Sequence, residues 1–294
     1  MASRTWVGGS GNNNIYQGQN WSPPGPIEPG DVLSLYSGTA NMAGGDLSGD
    51  TLYVGTQTSY ASSTPPAVVN LSRGADLTAV AATAGFAAQN VTFNASGVDT
   101  LNLSINNNYY ATMNTTVNIA ANARLSGTVA VGGHNGNLIM NGAAHSAFDN
   151  DGASSVGPNC VATINAKVLG IGSFSVNAES SLSFMSAVGP GESVILAGQD
   201  TLSIGMPQSF LGPVDIANGG GSFTIGLQGI TSADSYSYAQ DMLTLFHGNR
   251  PIDVLRLTDS SGIQVGETTT GVFIGSSSTT LPPGTVLLPQ HGMS

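Results

Sequence analysis

A chain of 294 residues with 8% charged side chains, 40 glycines and a net charge of −11 lacks the basic stripe that nucleic acid or an anionic membrane surface requires. An acidic polysaccharide would meet net repulsion unless Ca²⁺ bridged it. No apolar run reaches the ~18 residues that span a bilayer, Val, Ile and Leu recur too often for disorder, and the single Cys160 permits no intramolecular disulfide.

Residues 1–30 read as an N-terminal cap, loop-like and punctuated by Gly8-Gly9, Gly11, Pro23-Pro24, Pro26 and Pro29-Gly30. Trp6 and Trp21 are expected to pack over the end of the coil that starts at Asp31. The first twenty residues hold no apolar export signal. Two routes fit that: type I export read from a tail within Val286 to Ser294, or a cleaved leader with Met1-Ala2-Ser3 in its place.

From Asp31 to about Ile230, apolar runs of four to seven residues alternate with Gly/Asn/Ser/Asp turns. Ala67 to Leu71, Asn90 to Phe93, Thr115 to Ile119, Gly136 to Met140, Ser181 to Phe184 and Thr201 to Ile204 show the pattern. Period-two alternation with β-branched residues predicts strands. In a parallel β-helix each coil lies ~4.8 Å from the next, so side chains stack into columns. Like charges in register repel, whereas an amide donates and accepts along the column. Charge is scarce here, and Asn recurs between apolar residues at Asn70, Asn102, Asn118 and Asn165. The predicted fold is therefore all-β: a parallel β-helix, or β-solenoid, over 31–230, with a β-sandwich as the alternative. Cys160 is expected to be a small buried apolar residue.

Beyond Thr231 the texture changes, with Ala233 to Phe246, Pro251 to Leu257, Gly271 to Ile274 and Thr285 to Leu288 as its apolar segments. Residues 231–294 are read as a β-rich C-terminal cap that also carries the secretion-signal region. A stack of strands needs its ends covered against edge-to-edge aggregation.

The stretch from Gly172 to Ile230 carries "sLsF" (Leu182 to Phe184), "VGpGesVilaG" (Val188 to Gly198), "dTLsI" (Thr201 to Ile204) and "pqsFlGpV" (Gln208 to Val214). It resembles a repeat of large secreted proteobacterial proteins, also seen in autotransporter-like passenger domains. The opening resembles the start of such passengers at Trp6, Asn20, Trp21, Pro29, Gly30 and Asp31. The resemblance implies export and an adhesive, surface-layer or biofilm-matrix role, and brings no catalytic residues.

Candidate chemistry is sparse. "GGDLSGDTLYVG" (Gly44 to Gly55) and "GGHNGNLIM" (Gly132 to Met140) faintly match a Ca²⁺-binding nonapeptide that works only in consecutive copies. Asp149 and Asp151, in "FDNDGASS", are the candidate ligands for a structural Ca²⁺ or, failing that, an acid/base pair; an Asp-Gly loop is the plain alternative. No other cofactor is expected. Arg73, Arg124 and Lys167 look isolated and outward-facing, the four histidines lack ligand spacing, and no nucleophile elbow occurs. Tyr109, Tyr110, Tyr236 and Tyr238 lie in polar segments as candidate platforms for a glycan or partner.

The expected function is a secreted, non-enzymatic structural or adhesive protein, extracellular or on the cell surface. Its expected partners are further copies of itself, as a homo-oligomer, or cell-surface glycans and matrix, without nucleic acid or membrane insertion. A carbohydrate-active β-helix enzyme and a phage-type fibre segment are the alternatives.

Overall fold

The alternating segments can bury one row of side chains only if the chain turns back to place another strand beneath each one. In a computed structural model they do so in parallel. The structure describes residues 2–8, 11–55, 66–83, 89–107, 113–133, 135–217, 221–258 and 262–291. One sheet stacks, in order, Gly38–Ala43, Ala67–Ser72, Gln89–Ala95, Met113–Ile119, Gly136–Gly142, Val161–Ile164, Ser181–Phe184, Thr201–Ile204 and Thr224–Gln228. Each is parallel to its neighbour. That excludes the antiparallel hairpins of a sandwich. The chain is a β-solenoid.

The second sheet bends. Val98–Asn107 is one strand, but it pairs with both Arg124–Gly127 and Val129–Gly133 of the next coil. From there each half continues separately, through Ala147–Asn150 and Ala153–Val156 to Lys167–Gly170 and Ser173–Val176. A coil thus has three strand-bearing sides. The run Val161 to Val168, which reads as one strand, is broken at Asn165 and Ala166 by one of the corners.

Inside, register turns alternation into continuous apolar columns. Met140, Ile164, Phe184, Ile204 and Leu227 form one, and Val156, Val176, Leu196 and Ile216 another. All of these residues are buried. Phe184 meets Phe174 edge-on at 5.2 Å and Phe210 at 5.9 Å. At ~25 cal/mol per Å² of apolar surface removed from water, these columns are the main favourable term in the fold. Cys160 is fully buried at a coil edge, as expected; burial pushes its thiol pKa up, which leaves it unreactive.

Both ends change pattern. Ser3–Trp6 lies parallel to Val32–Leu35 and antiparallel to Trp21–Ser22, with Trp6 and Trp21 buried edge-to-face at 5.1 Å. Arg4 Nε pairs with Asp31 Oδ2 at 2.8 Å beneath them, both side chains buried. At the other end Gly271–Ser276 adds to Thr224–Gln228 antiparallel, while Ser235–Ala239, Met242–His247 and Arg250–Thr258 form an antiparallel meander. The only helical segments among the described residues are two short 3₁₀ turns, Gly18–Asn20 and Pro207–Ser209, and none of these residues forms a helix long and apolar enough to cross a membrane.

Candidate functional site

The structure redistributes the candidate residues. Tyr109 and Tyr110 lie outside the described residues. Tyr236 is buried rather than exposed: its strand pairs with Met242–His247, and its backbone bonds to Pro289 and His291. Tyr238 is half-buried and spends its hydroxyl on the carbonyl of Leu257 at 2.8 Å. Neither presents a free aromatic platform, because the meander folds them inward.

Asp149 is not in a loop. It belongs to the strand Ala147–Asn150, whose four residues are all buried between Arg124–Gly127 and Lys167–Gly170. Its Oδ2 accepts from Arg124 Nε at 2.9 Å and lies 2.7 Å from Nη2 in the same ion pair, while Asp151 lies exposed beyond the strand end. The neighbouring Asn150 is fully buried; it donates to Glu192 Oε2 at 2.8 Å and accepts from Ser154 Oγ at 2.8 Å. Burial pushes the Glu192 carboxyl pKa up, with Asp149 and Asp151 adding to it. Among the described residues no three His, Cys, Asp or Glu side chains converge as metal ligands.

The nonapeptide-like stretch at Gly44 to Gly55 forms the strand Asp46–Val54, and Asp50 there accepts from the backbone N–H of Gly30 at 2.6 Å. Asp46 lies in register with Asp76, an exception to the exclusion of stacked like charges, and burial together with Asp46 raises the Asp76 pKa.

Arg124 and Lys167 are the residues the sequence most undersold. Stacking places Arg124, Ala147 and Lys167 in one column, so the backbone positions of the two cationic residues stand two strand spacings apart, ~9.6 Å, with a small side chain between them. The gap opens into a groove of about 470 Å³ lined by Arg124, His145, Ser146, Asn165, Lys167 and Ser186. The Arg124 side chain is 55% exposed, and Asp149 holds one side of its guanidinium. Lys167 has no ion-pair partner among the described residues, and no other Lys or Arg occurs between Arg73 and Arg250.

Gly142 and Ala143 also line a second, neighbouring groove of about 400 Å³ that passes Ala95, Ser96, Ile119 and Ala120. Its wall is a ladder of asparagines. Asn165 donates to Asn141, Asn141 to Asn118, Asn118 to Asn94, Asn94 to Asn70 and Asn70 to Asn41, at 2.8–3.0 Å. Asn41 donates in turn to the backbone carbonyl of Asn12 at 3.4 Å. That carbonyl can only accept, which sets the direction of every amide above it. A shorter ladder runs from Asn137 through Asn114 to Asn90, at 3.2 Å per step.

Of the asparagines expected to stack, Asn70, Asn118 and Asn165 do so and Asn102 does not. Asn102 lies on another side of the coil, where its Oδ1 accepts from Thr128. Asn41, Asn94 and Asn141 complete the ladder, and the recurrence at 23–24 residues from Asn70 to Asn165 is the sequence signal that marks Asn94 and Asn141. The groove had no comparable signal, because Arg124 and Lys167 meet only once the coil length is known.

Comparison with protein-family models, with curated proteins and with solved structures gives no match.

Proposed function

We propose that the chain is a secreted bacterial structural or adhesive module that uses its β-solenoid surface to contact glycan at the cell surface or in a matrix. The observation that carries this reading is the corner groove, which crosses successive coils beside a row of amides. An open trough with polar groups repeated at the strand spacing suits a linear polymer better than a small metabolite, which favours an enclosed apolar pocket. The scarcity of Lys, the low charge and the likeness to secreted repeats support export. The terminal strands and the Trp6–Trp21 pair serve as covers for the stack.

Co-sedimentation of the purified protein with a panel of neutral and acidic polysaccharides tests the reading, with release of soluble sugar measured in the same tubes. Binding without release is the expected result. Release of sugar would make the protein an enzyme, and failure to retain any polysaccharide would overturn glycan contact.

A further inference from the structure

We infer that the gap between Arg124 and Lys167 takes the carboxylate of a linear acidic polysaccharide, whose hydroxyls lie along the asparagine ladder. This rests on the groove being the glycan site and names the class of glycan.

Three features of the groove converge on such a ligand. The first is cationic. Arg124 has five N–H donors, of which only Nε–H is hydrogen-bonded to Asp149, and the Lys167 ammonium is unpaired among the described residues. A carboxylate between them would accept charge-assisted hydrogen bonds from both sides, with Ala147 leaving room for it.

The second is an acceptor. Asn165 is the last rung of its ladder, because the next residue in that column is Met185. Its Nδ2 is committed to Asn141, and no donor among the described residues reaches its Oδ1. That oxygen ends a file of amides all pointing the same way, each polarising the next by about 10–30% per bond. It lines the same groove as the two cations and is well placed to accept from a sugar hydroxyl. Simple inorganic anions have little use for it.

The third is length. The two neighbouring grooves follow the corner from Ser96 to Ser186, so a chain of sugars lying along them meets a new amide or small-residue step every ~4.8 Å.

The net charge of −11 argues against this only if it acts at long range. At physiological ionic strength the screening length is about 8 Å, so acidic residues elsewhere on the stack are largely invisible to a ligand in the groove. The groove lining decides: it holds two cations and no carboxylate, with Asp149 mostly buried behind Arg124 and Asp151 outside the lining. Direct contact therefore needs no bridging Ca²⁺.

The test is isothermal titration in 150 mM NaCl with EDTA, using oligogalacturonate, its carboxyl-reduced counterpart and inorganic phosphate. Oligogalacturonate should bind, more weakly as salt is raised, and the other two at least about tenfold less well. Lys167→Glu should lower affinity for oligogalacturonate about tenfold or more, and Asn165→Ala by a smaller factor. Arg250→Glu, the same charge change on an exposed residue of the meander, should leave affinity unchanged. Circular dichroism confirms that each variant is folded.

Equal binding of the acidic and reduced oligomers would overturn the acid preference and leave the glycan reading standing. Binding that needs Ca²⁺, or phosphate binding as tightly as the oligomer, would overturn the inference in favour of a bridged or adventitious anion. Equal losses in the Lys167 and Arg250 variants would place the site elsewhere. No binding by any oligomer, together with no retention of any polysaccharide, would sink both readings.

Discussion

The coils before and after Asn165 solve the same stacking problem with different materials. In the earlier ones the ladder asparagines are separated by 23–29 residues, the strands reach seven to ten residues, and a hydrogen-bonded amide column runs along the outside. In the next two the repeat shortens to 20 residues, with Leu182 on Ala162 and Leu202 on Leu182, and the strands there shrink to four. There the amide column stops at Met185, while the interior gains the Phe174, Phe184 and Phe210 cluster. A short coil has little strand to hydrogen-bond and leans on its core and tight corners. At Gly212 any Cβ would collide with the carbonyl of Glu192 one coil below, so these corners accept only glycine. A longer coil has wider faces to hold in register, and an exposed amide ladder does that without the repulsion of stacked charges.

Cutting the core of the short coils should break this comparison most visibly. Phe184→Ala leaves a cavity between Phe174 and Phe210 and is expected to cost about 3–5 kcal/mol, read as a fall in the urea midpoint. A loss below about 1 kcal/mol would mean that the aromatic cluster is not what holds the 20-residue coils. Asn118→Ala, in the longer coils, removes two amide bonds from a half-buried position and should cost about 1–2 kcal/mol. Its signature is local: faster amide exchange in Gln89–Ala95 and Gly136–Gly142, with Ser181–Phe184 unaffected. Uniform exchange throughout would show that the ladder plays no part in register.

What was legible in the sequence follows the same division. Strand positions and the solenoid could be read because alternation is a local property, and burial of Val69, Leu138 or Phe184 on one face needs no knowledge of partners. The asparagine ladder was half legible, since its spacing is visible but Asn102 shares its local texture and not its face. The Arg124–Lys167 groove was hidden because it depends on which residues lie above one another, and coil length changes along the chain. Asp149 misled for a related reason. "FDNDG" reads as a polar turn, yet Ala147–Asn150 is drawn into a strand by parallel pairing on both sides, and Arg124 makes its buried carboxylate tolerable.

Acid titration sharpens the contrast further, because the two ends of the stack respond with opposite sign. Burial raises the pKa of Glu192 above its ordinary 4.5, and that of Asp200 above 3.8. Such groups favour the fold when protonated, so their contribution is full below about pH 4 and is lost as pH rises through the folded-state values. Glu192→Gln should therefore flatten the decline in melting temperature of the native chain as pH rises above 4.5, and an unchanged slope would exclude Glu192 as its source. Asp31 behaves the other way. Arg4, with the N–H groups of Ala2 and Glu28, lowers its pKa to about 2, so its contribution is present above 3.8 and is lost as pH falls toward 2. This smallest effect is confined to the first strand. Between pH 4 and 2 the Trp6–Trp21 pair should loosen ahead of the rest, seen as a tryptophan fluorescence change while the far-ultraviolet β signal holds. Asp31→Asn should show that loosened fluorescence already at pH 5. Simultaneous loss of both signals in the native chain would mean that the N-terminal strand is an inseparable part of the first coil.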